Sequence, residues 1–198
     1  SAEYSDAVAA LRGFANSTLS SSVVFSAGMN PRLYGYCETV SEFYPDESGL
    51  QRKKIILKVS DFRSAMIQGK FLAKKGLWIS EFRIESGLNC GGHAFATDGL
   101  LLGPILEEFK IKRTQLTEEL FAICNSALAE RGKTLFEHIP EVRITVQGGI
   151  GTYQEDKFLR DFYSLDGTGW GSPFLLVPEA TNVDEATLHQ LAHAKQED

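Results

Sequence analysis

The sequence predicts an α/β fold made of parallel β/α units, and three observations predict it. Short apolar runs of strand length alternate with longer stretches of helical spacing. Glycine clusters close several of those runs at their carboxyl ends. No linker, clear internal repeat or low-complexity segment interrupts the 198 residues. The resulting order of strand, helix, strand, helix, strand, helix, strand calls for a parallel sheet with covering helices. It fits either an open doubly wound sheet or part of a (β/α)₈ barrel.

Taken in order, Ala7 to Phe14 has helical composition and the polar run Asn16 to Ser22 ends it. Val23-Val24-Phe25-Ser26 reads as a short buried strand that stops at Gly28-Met29-Asn30-Pro31. Tyr34 to Tyr44 is aromatic-rich and fits neither period cleanly, and Pro45 to Gly49 is a loop. Lys54 to Ser60 is a strand on the strength of Ile55, Ile56, Leu57 and Val59. Ser60 or Asp61 then caps a helix over Phe62 to Lys75, which Gly76 ends.

Leu77 to Phe82 reads as the central strand, expected to lie between Lys54–Ser60 and Val142–Val146 in the parallel sheet. Its apolar run Leu77-Trp78-Ile79 leads through the mixed stretch Phe82-Arg83-Ile84 into the turn Gly87 to Gly92, which delivers His93. A helical region runs from Leu106 to about Arg131, expected in two pieces, with Leu106, Phe109, Leu116, Leu120 and Ile123 as its stripe and Gly132 as its stop. Val142 to Val146 is a second clear strand, ending in Gln147-Gly148-Gly149-Ile150-Gly151-Thr152. Tyr153 to Tyr163 is a short amphipathic helix. Asp166 to Ser172 is a third glycine-rich element, leading into Pro173 to Val177. After the turn Pro178 to Asn182, Val183 to Lys195 reads as a last helix.

The composition is that of one soluble domain: 43% hydrophobic, 23% charged, net charge −6. The acidic balance, without a basic stripe, argues against nucleic acid as a partner. No apolar run reaches the roughly 18 residues of a membrane-spanning helix, and no signal peptide opens the chain, so no membrane partner is expected. Cys37, Cys90 and Cys124 are an odd number at wide spacing, which is no disulfide framework and fits a reducing, cytoplasmic setting. Cys124 fits a small core residue.

Chemistry concentrates in the glycine turns. Gly91 and Gly92 let the backbone turn sharply or lie against a flat ligand, and His93 beside them titrates near neutral pH. Gly148, Gly149, Gly169 and Gly171 can present backbone N–H groups to a phosphate without a lysine. Thr152, Thr168 and Ser172 can add hydroxyls. Tight strand-to-helix turns and a turn histidine are the plainer alternatives. Cys90 and His93 form a CxxH pair, but no second pair with zinc spacing follows and His138, His189 and His193 are scattered, so no metal is expected. His189 and His193 suit a solvated helix face. The Rossmann GxGxxG is absent. Glycine clusters at two successive late strand ends are instead how barrels build a phosphate site.

These motifs, in this order, resemble those of the nitronate monooxygenase family, the FMN-dependent barrels also called 2-nitropropane dioxygenases. The resemblance covers roughly residue 54 onward. It rests on Lys54 to Ser60 with Ala65 and Gly76, on Gly91-Gly92-His93, on Gln147-Gly148-Gly149-Ile150, and on Asp166-Gly167 through Gly171-Ser172-Pro173-Phe174-Leu175 with Pro178-Glu179-Ala180. Asn89-Cys90 depart from the acidic residue and alanine usual before Gly-Gly-His, Asp166 to Trp170 is richer in glycine, and Thr114 to Pro140 is a long insert.

The resemblance implies the C-terminal half of a TIM-barrel-like fold, in a single domain that is a fragment of a larger (β/α)₈ protein. About five β-rich runs are present where a barrel has eight. It further implies FMN as cofactor and a small-molecule substrate. Gly91, Gly92, Gln147, Gly148, Gly149, Ile150, Gly169, Trp170, Gly171 and Ser172 fall at its cofactor, and His93 is its base on a carbon acid. A half-barrel leaves unpaired edges, so a homo-oligomer or the missing N-terminal half is the expected partner. A non-catalytic phosphate- or flavin-binding or assembly module is the alternative.

Overall fold

The computed structural model describes residues 6–85, 102–171 and 184–193. Its elements are α1 (Asp6–Ala15), β1 (Ser21–Phe25), α2 (Pro31–Glu38), a 3₁₀ turn (Ser41–Phe43), β2 (Lys53–Val59), α3 (Phe62–Ala73), β3 (Ile79–Glu85), α4 (Leu102–Glu130), β4 (Arg143–Gln147), α5 (Tyr153–Tyr163), β5 (Gly167–Gly169) and α6 (Glu185–His193). The five strands form one sheet in the order β1-β2-β3-β4-β5, and every neighbouring pair is parallel. The expected adjacency of β2, β3 and β4 in chain order is therefore observed. Spatial order equals chain order, so each crossover advances the sheet by one strand in the same direction. Right-handed crossovers of that kind bring the connecting helices to one face.

Local chemistry sets the element ends. Asn30 accepts the Leu33 amide at the start of α2, with Pro31 in the first turn, where its missing N–H costs nothing. Asp61 accepts the Ser64 amide at 2.6 Å and starts α3, a cap worth about 1 kcal/mol. Gly76, at φ +73°, closes that helix while Leu77 N–H donates to Leu72 O and Gly76 N–H to Ala73 O. Gly132, at φ +60°, closes α4 through the equivalent pair, Lys133 to Leu128 and Gly132 to Ala129.

The helix-facing side of the sheet is apolar. Leu57 and Val59 of β2, Phe82 and Ile84 of β3, and Ile144 and Val146 of β4 are buried against Leu72 of α3 and Leu106, Phe109, Leu116 and Leu120 of α4. Burying one such side chain stabilises the fold by about 1.5–3 kcal/mol. Cys37 and Cys124 are fully buried members of this core, which bears out the reading of Cys124 and gives Cys37 a packing role.

Three details differ from the sequence reading. The helix expected in two pieces is one 29-residue helix. Its buried stripe lapses between Phe109 and Leu116, and the polar residues there find partners instead of breaking it. Lys112 lies over the Phe62 ring, and Arg113 reaches Val142 O and Asp166. Ile123 is half-buried, and Cys124 takes its place in the stripe. The central strand, expected over Leu77 to Phe82, instead runs Ile79–Glu85, because a bulge resets its register. Ile55 pairs with Ile79, but Ile56 pairs with Glu81. Ser80 is the extra residue, and its hydroxyl bonds Ile55 O.

That bulge sorts the charges. Beyond it Phe82 and Ile84 face the helices, while Glu81, Arg83 and Glu85 join Lys54, Ile56 and Lys58 of β2 and Arg143, Thr145 and Gln147 of β4 on the other face. Parallel sheets covered on both sides carry near-continuous apolar runs. This sheet has one apolar face and one polar face.

Candidate functional site

The carboxyl ends of β2 to β5 and the polar face beneath them form the candidate site. At its rim, Glu85 Oε2 lies 2.8 Å from Lys58 Nζ, and Glu85 Oε1 accepts from Gln147 Nε2 at 2.6 Å. Two layers deeper, below Arg83 and Thr145, the buried Glu81 carboxylate is the hub. Its Oε1 accepts from Arg83 Nε at 2.9 Å, Arg83 Nη2 at 2.8 Å and Thr145 Oγ1 at 2.7 Å, and its Oε2 lies 3.3 Å from Arg143 Nη1. A carboxyl group buried away from water needs such partners in place of the water it has lost.

The two late glycine clusters meet at this rim. Gln147 and Gly169 are register partners across β4 and β5, and Gly148 N–H donates to Gly169 O at 3.3 Å. Gly148 and Gly149 hold φ +89° and +70°, which side chains rarely adopt, so two glycines are needed for β4 to turn into α5. Gly169 is glycine for another reason: a Cβ there would stand 2.9 Å from Gln147 Cβ. Gly171 is exposed, with nothing within 4 Å of a Cβ position.

The remaining predicted positions are constrained by the protein itself. The Ile150 side chain is in the core at 3% exposure, so only its backbone faces the turn. Trp170 packs half-buried against the core and donates from Nε1 to Thr168 Oγ1 at 3.1 Å. Thr168 Oγ1 in turn bonds Asp156 on α5. Gly148 N–H and the Thr168 hydroxyl, both read as donors to a ligand, are thus engaged within the chain. His93, Gly91, Gly92, Cys90 and Ser172 lie outside the described residues.

The start of α5 carries an internal anion. Glu155 Oε2 accepts from Gly151 N–H at 2.9 Å, Thr152 N–H at 2.9 Å and Thr152 Oγ1 at 3.0 Å, and Thr152 Oγ1 accepts the Glu155 amide, which makes a capping box. The Gly151 amide first, then the Thr152 hydroxyl and amide, hold the Glu155 carboxyl below the ordinary glutamate range.

Sequence reasoning missed Lys58, Glu81, Arg83, Glu85 and Thr145. The available signal was charge inside strands that otherwise bury well, since a charged residue in a buried strand needs a partner. His189 and His193 are exposed and stacked 4.1 Å apart on α6, as a solvated face requires. Among the described residues, no group of three His, Cys, Asp or Glu side chains is placed to hold a metal ion, and no helix is long and apolar enough to cross a membrane. No family model matches the chain, and no curated protein or solved structure matches it.

Proposed function

We propose that this chain is the later half of a (β/α)₈ barrel that works as an FMN-dependent oxidoreductase of the nitronate monooxygenase type. The observation that carries the reading is the meeting of the Gly148-Gly149 and Gly169-Gly171 clusters at the carboxyl ends of adjacent parallel strands. Barrels place a phosphate site there, using the loops of their last two strands.

The residues present fit a phosphate in kind. Gly149 and Gly171 are exposed and without side chains, so a dianion can approach their backbone closely. FMN, when bound, would supply the electron acceptor. His93 would take the proton from a carbon acid, while Gly91 and Gly92 leave room for the flat ring. The small-molecule substrate, the missing N-terminal half and a cytoplasmic location belong to this same proposal.

The test is an FMN titration of the chain, alone and joined to an N-terminal half, read by flavin fluorescence and by the visible spectrum of the purified protein. Saturable binding that Gly149→Trp abolishes supports the reading. Absence of binding in both forms refutes it. With flavin bound, His93→Ala should slow anaerobic flavin reduction by about 10²- to 10⁴-fold without releasing the flavin.

A second reading has its own observation. Glu155 already fills the amide cradle at the start of α5, as in a turn that is complete without a ligand. On that basis the chain is a non-catalytic assembly module whose turn needs no phosphate. Absence of FMN binding by the chain, alone and joined to an N-terminal half, would select this reading.

A further inference from the structure

Among the described residues, no element covers the outer face of α5, and that face is self-complementary. Leu159 and Tyr163 turn inward and pack half-buried against the core, yet no residue of the helix is fully buried. Phe158 and Phe162, one turn apart, are 54% and 50% exposed. Their rings stack at 5.2 Å and 14°, and Tyr163 stands edge-on to Phe162 at 4.8 Å and to Phe158 at 5.8 Å. Lys110 of α4 stands 4.6 Å over the Phe162 ring while donating to Phe162 O. Two solvent-facing phenylalanines held in this way form a pre-ordered surface, which loses little side-chain freedom when covered.

We infer that α5 is the interface with a second copy of this chain, packed antiparallel across a two-fold axis so that Phe158 and Phe162 of each copy meet. The flanking charges select this occupant. Lys157 and Asp161 form an ion pair along one side of the ring stripe. A two-fold axis perpendicular to the helix keeps that side facing its own copy and reverses the order of the charges. Lys157 of one copy then faces Asp161 of the other, and the reverse. The helix carries three acids, Glu155, Asp156 and Asp161, against two bases, Lys157 and Arg160. That balance disfavours an anionic lipid surface as the occupant.

Sedimentation velocity of the 198-residue chain over a concentration series is the test. A monomer–dimer equilibrium is expected. Phe158→Ser with Phe162→Ser should weaken it at least tenfold, because each ring is lost twice per dimer. The circular dichroism spectrum should stay unchanged, since both rings are solvent-facing. Lys157→Asp and Asp161→Lys should each weaken self-association, and an equimolar mixture of the two variants should recover it as a mixed dimer. A monomer at every concentration overturns the inference, as does a dimer indifferent to the phenylalanine changes. A mixture that fails to recover association overturns the antiparallel arrangement.

Discussion

Gly169 sits so close to Gln147 that a Cβ on it would stand 2.9 Å from Gln147 Cβ. The two are register partners at the carboxyl ends of β4 and β5, so the contact sets how near the two glycine clusters can lie. Gly169→Ala should push Gln147 away from Glu85 and cost about 1–3 kcal/mol in urea unfolding. Gly171→Ala, with open space around it, should stay within about 0.5 kcal/mol of the parent chain. Equal effects of the two substitutions would mean that Gly169 is not under this constraint.

Lys53 should be among the costliest charges to remove. It is fully buried at the start of β2, and its ammonium donates to Ser17 O at 2.9 Å, Ser17 Oγ at 3.0 Å and Leu19 O at 2.6 Å. The same ammonium nitrogen also lies 4.6 Å over the Phe14 ring. Lys53→Met keeps much of the volume but leaves those oxygens without their donor, so equilibrium unfolding should register a loss of about 2–4 kcal/mol. A loss under about 0.5 kcal/mol, the size of an ordinary surface substitution, would contradict the buried arrangement.

Glu155 gives a pH dependence with a definite sign. Its carboxyl is held below its ordinary value of 4.5 by the Gly151 amide first and then by the Thr152 hydroxyl and amide. The group whose folded pKa is depressed contributes its stabilisation above the unfolded pKa and loses it as pH falls through the lower, folded value. Amide chemical shifts of Gly151 and Thr152 should therefore move together on acidification, at a pH below 4.5. Glu155→Gln should flatten that titration. If a phosphate competes for the same amides, the variant should also bind inorganic phosphate more tightly than the parent chain. Titration at or above the ordinary glutamate value would remove the internal-anion description.

Cys37 and Cys124 should be chemically silent in the folded protein. Desolvation by burial pushes both thiols up to about 12, so almost no thiolate exists at neutral pH. Peptide mapping after treatment with iodoacetamide should find both unmodified in buffer and both modified in denaturant. Modification of either in buffer at the denatured rate would show that the core around it opens.

The alternation of β and α, the strands Lys54 to Ser60 and Val142 to Val146, the caps at Asp61 and Gly76, and the glycine clusters at the strand ends were all legible in the sequence. Each rests on local physics: apolar period, capping chemistry, and the positive φ that glycine alone takes easily. Parallel pairing in chain order followed from the alternation, since a helix between two strands returns the chain in the same direction.

Tertiary structure decided what local pattern cannot express. The bulge at Ser80 breaks the alternation between Ile79 and Glu81, so counting by twos from Ile79 puts Glu81, Arg83 and Glu85 on the wrong face. Their partners, Lys58, Arg143, Thr145 and Gln147, come from other strands, and only the register fixes which charges meet. The unbroken α4 likewise depends on Arg113 reaching Val142 and Asp166, residues far along the chain. The sequence by itself determined the elements and their order, because those follow from neighbours within a few residues. The polar hub on Glu81 and the clasp between Gly148 and Gly169 were decided by packing, because their energy comes from contacts across strands that exist only once the sheet has formed.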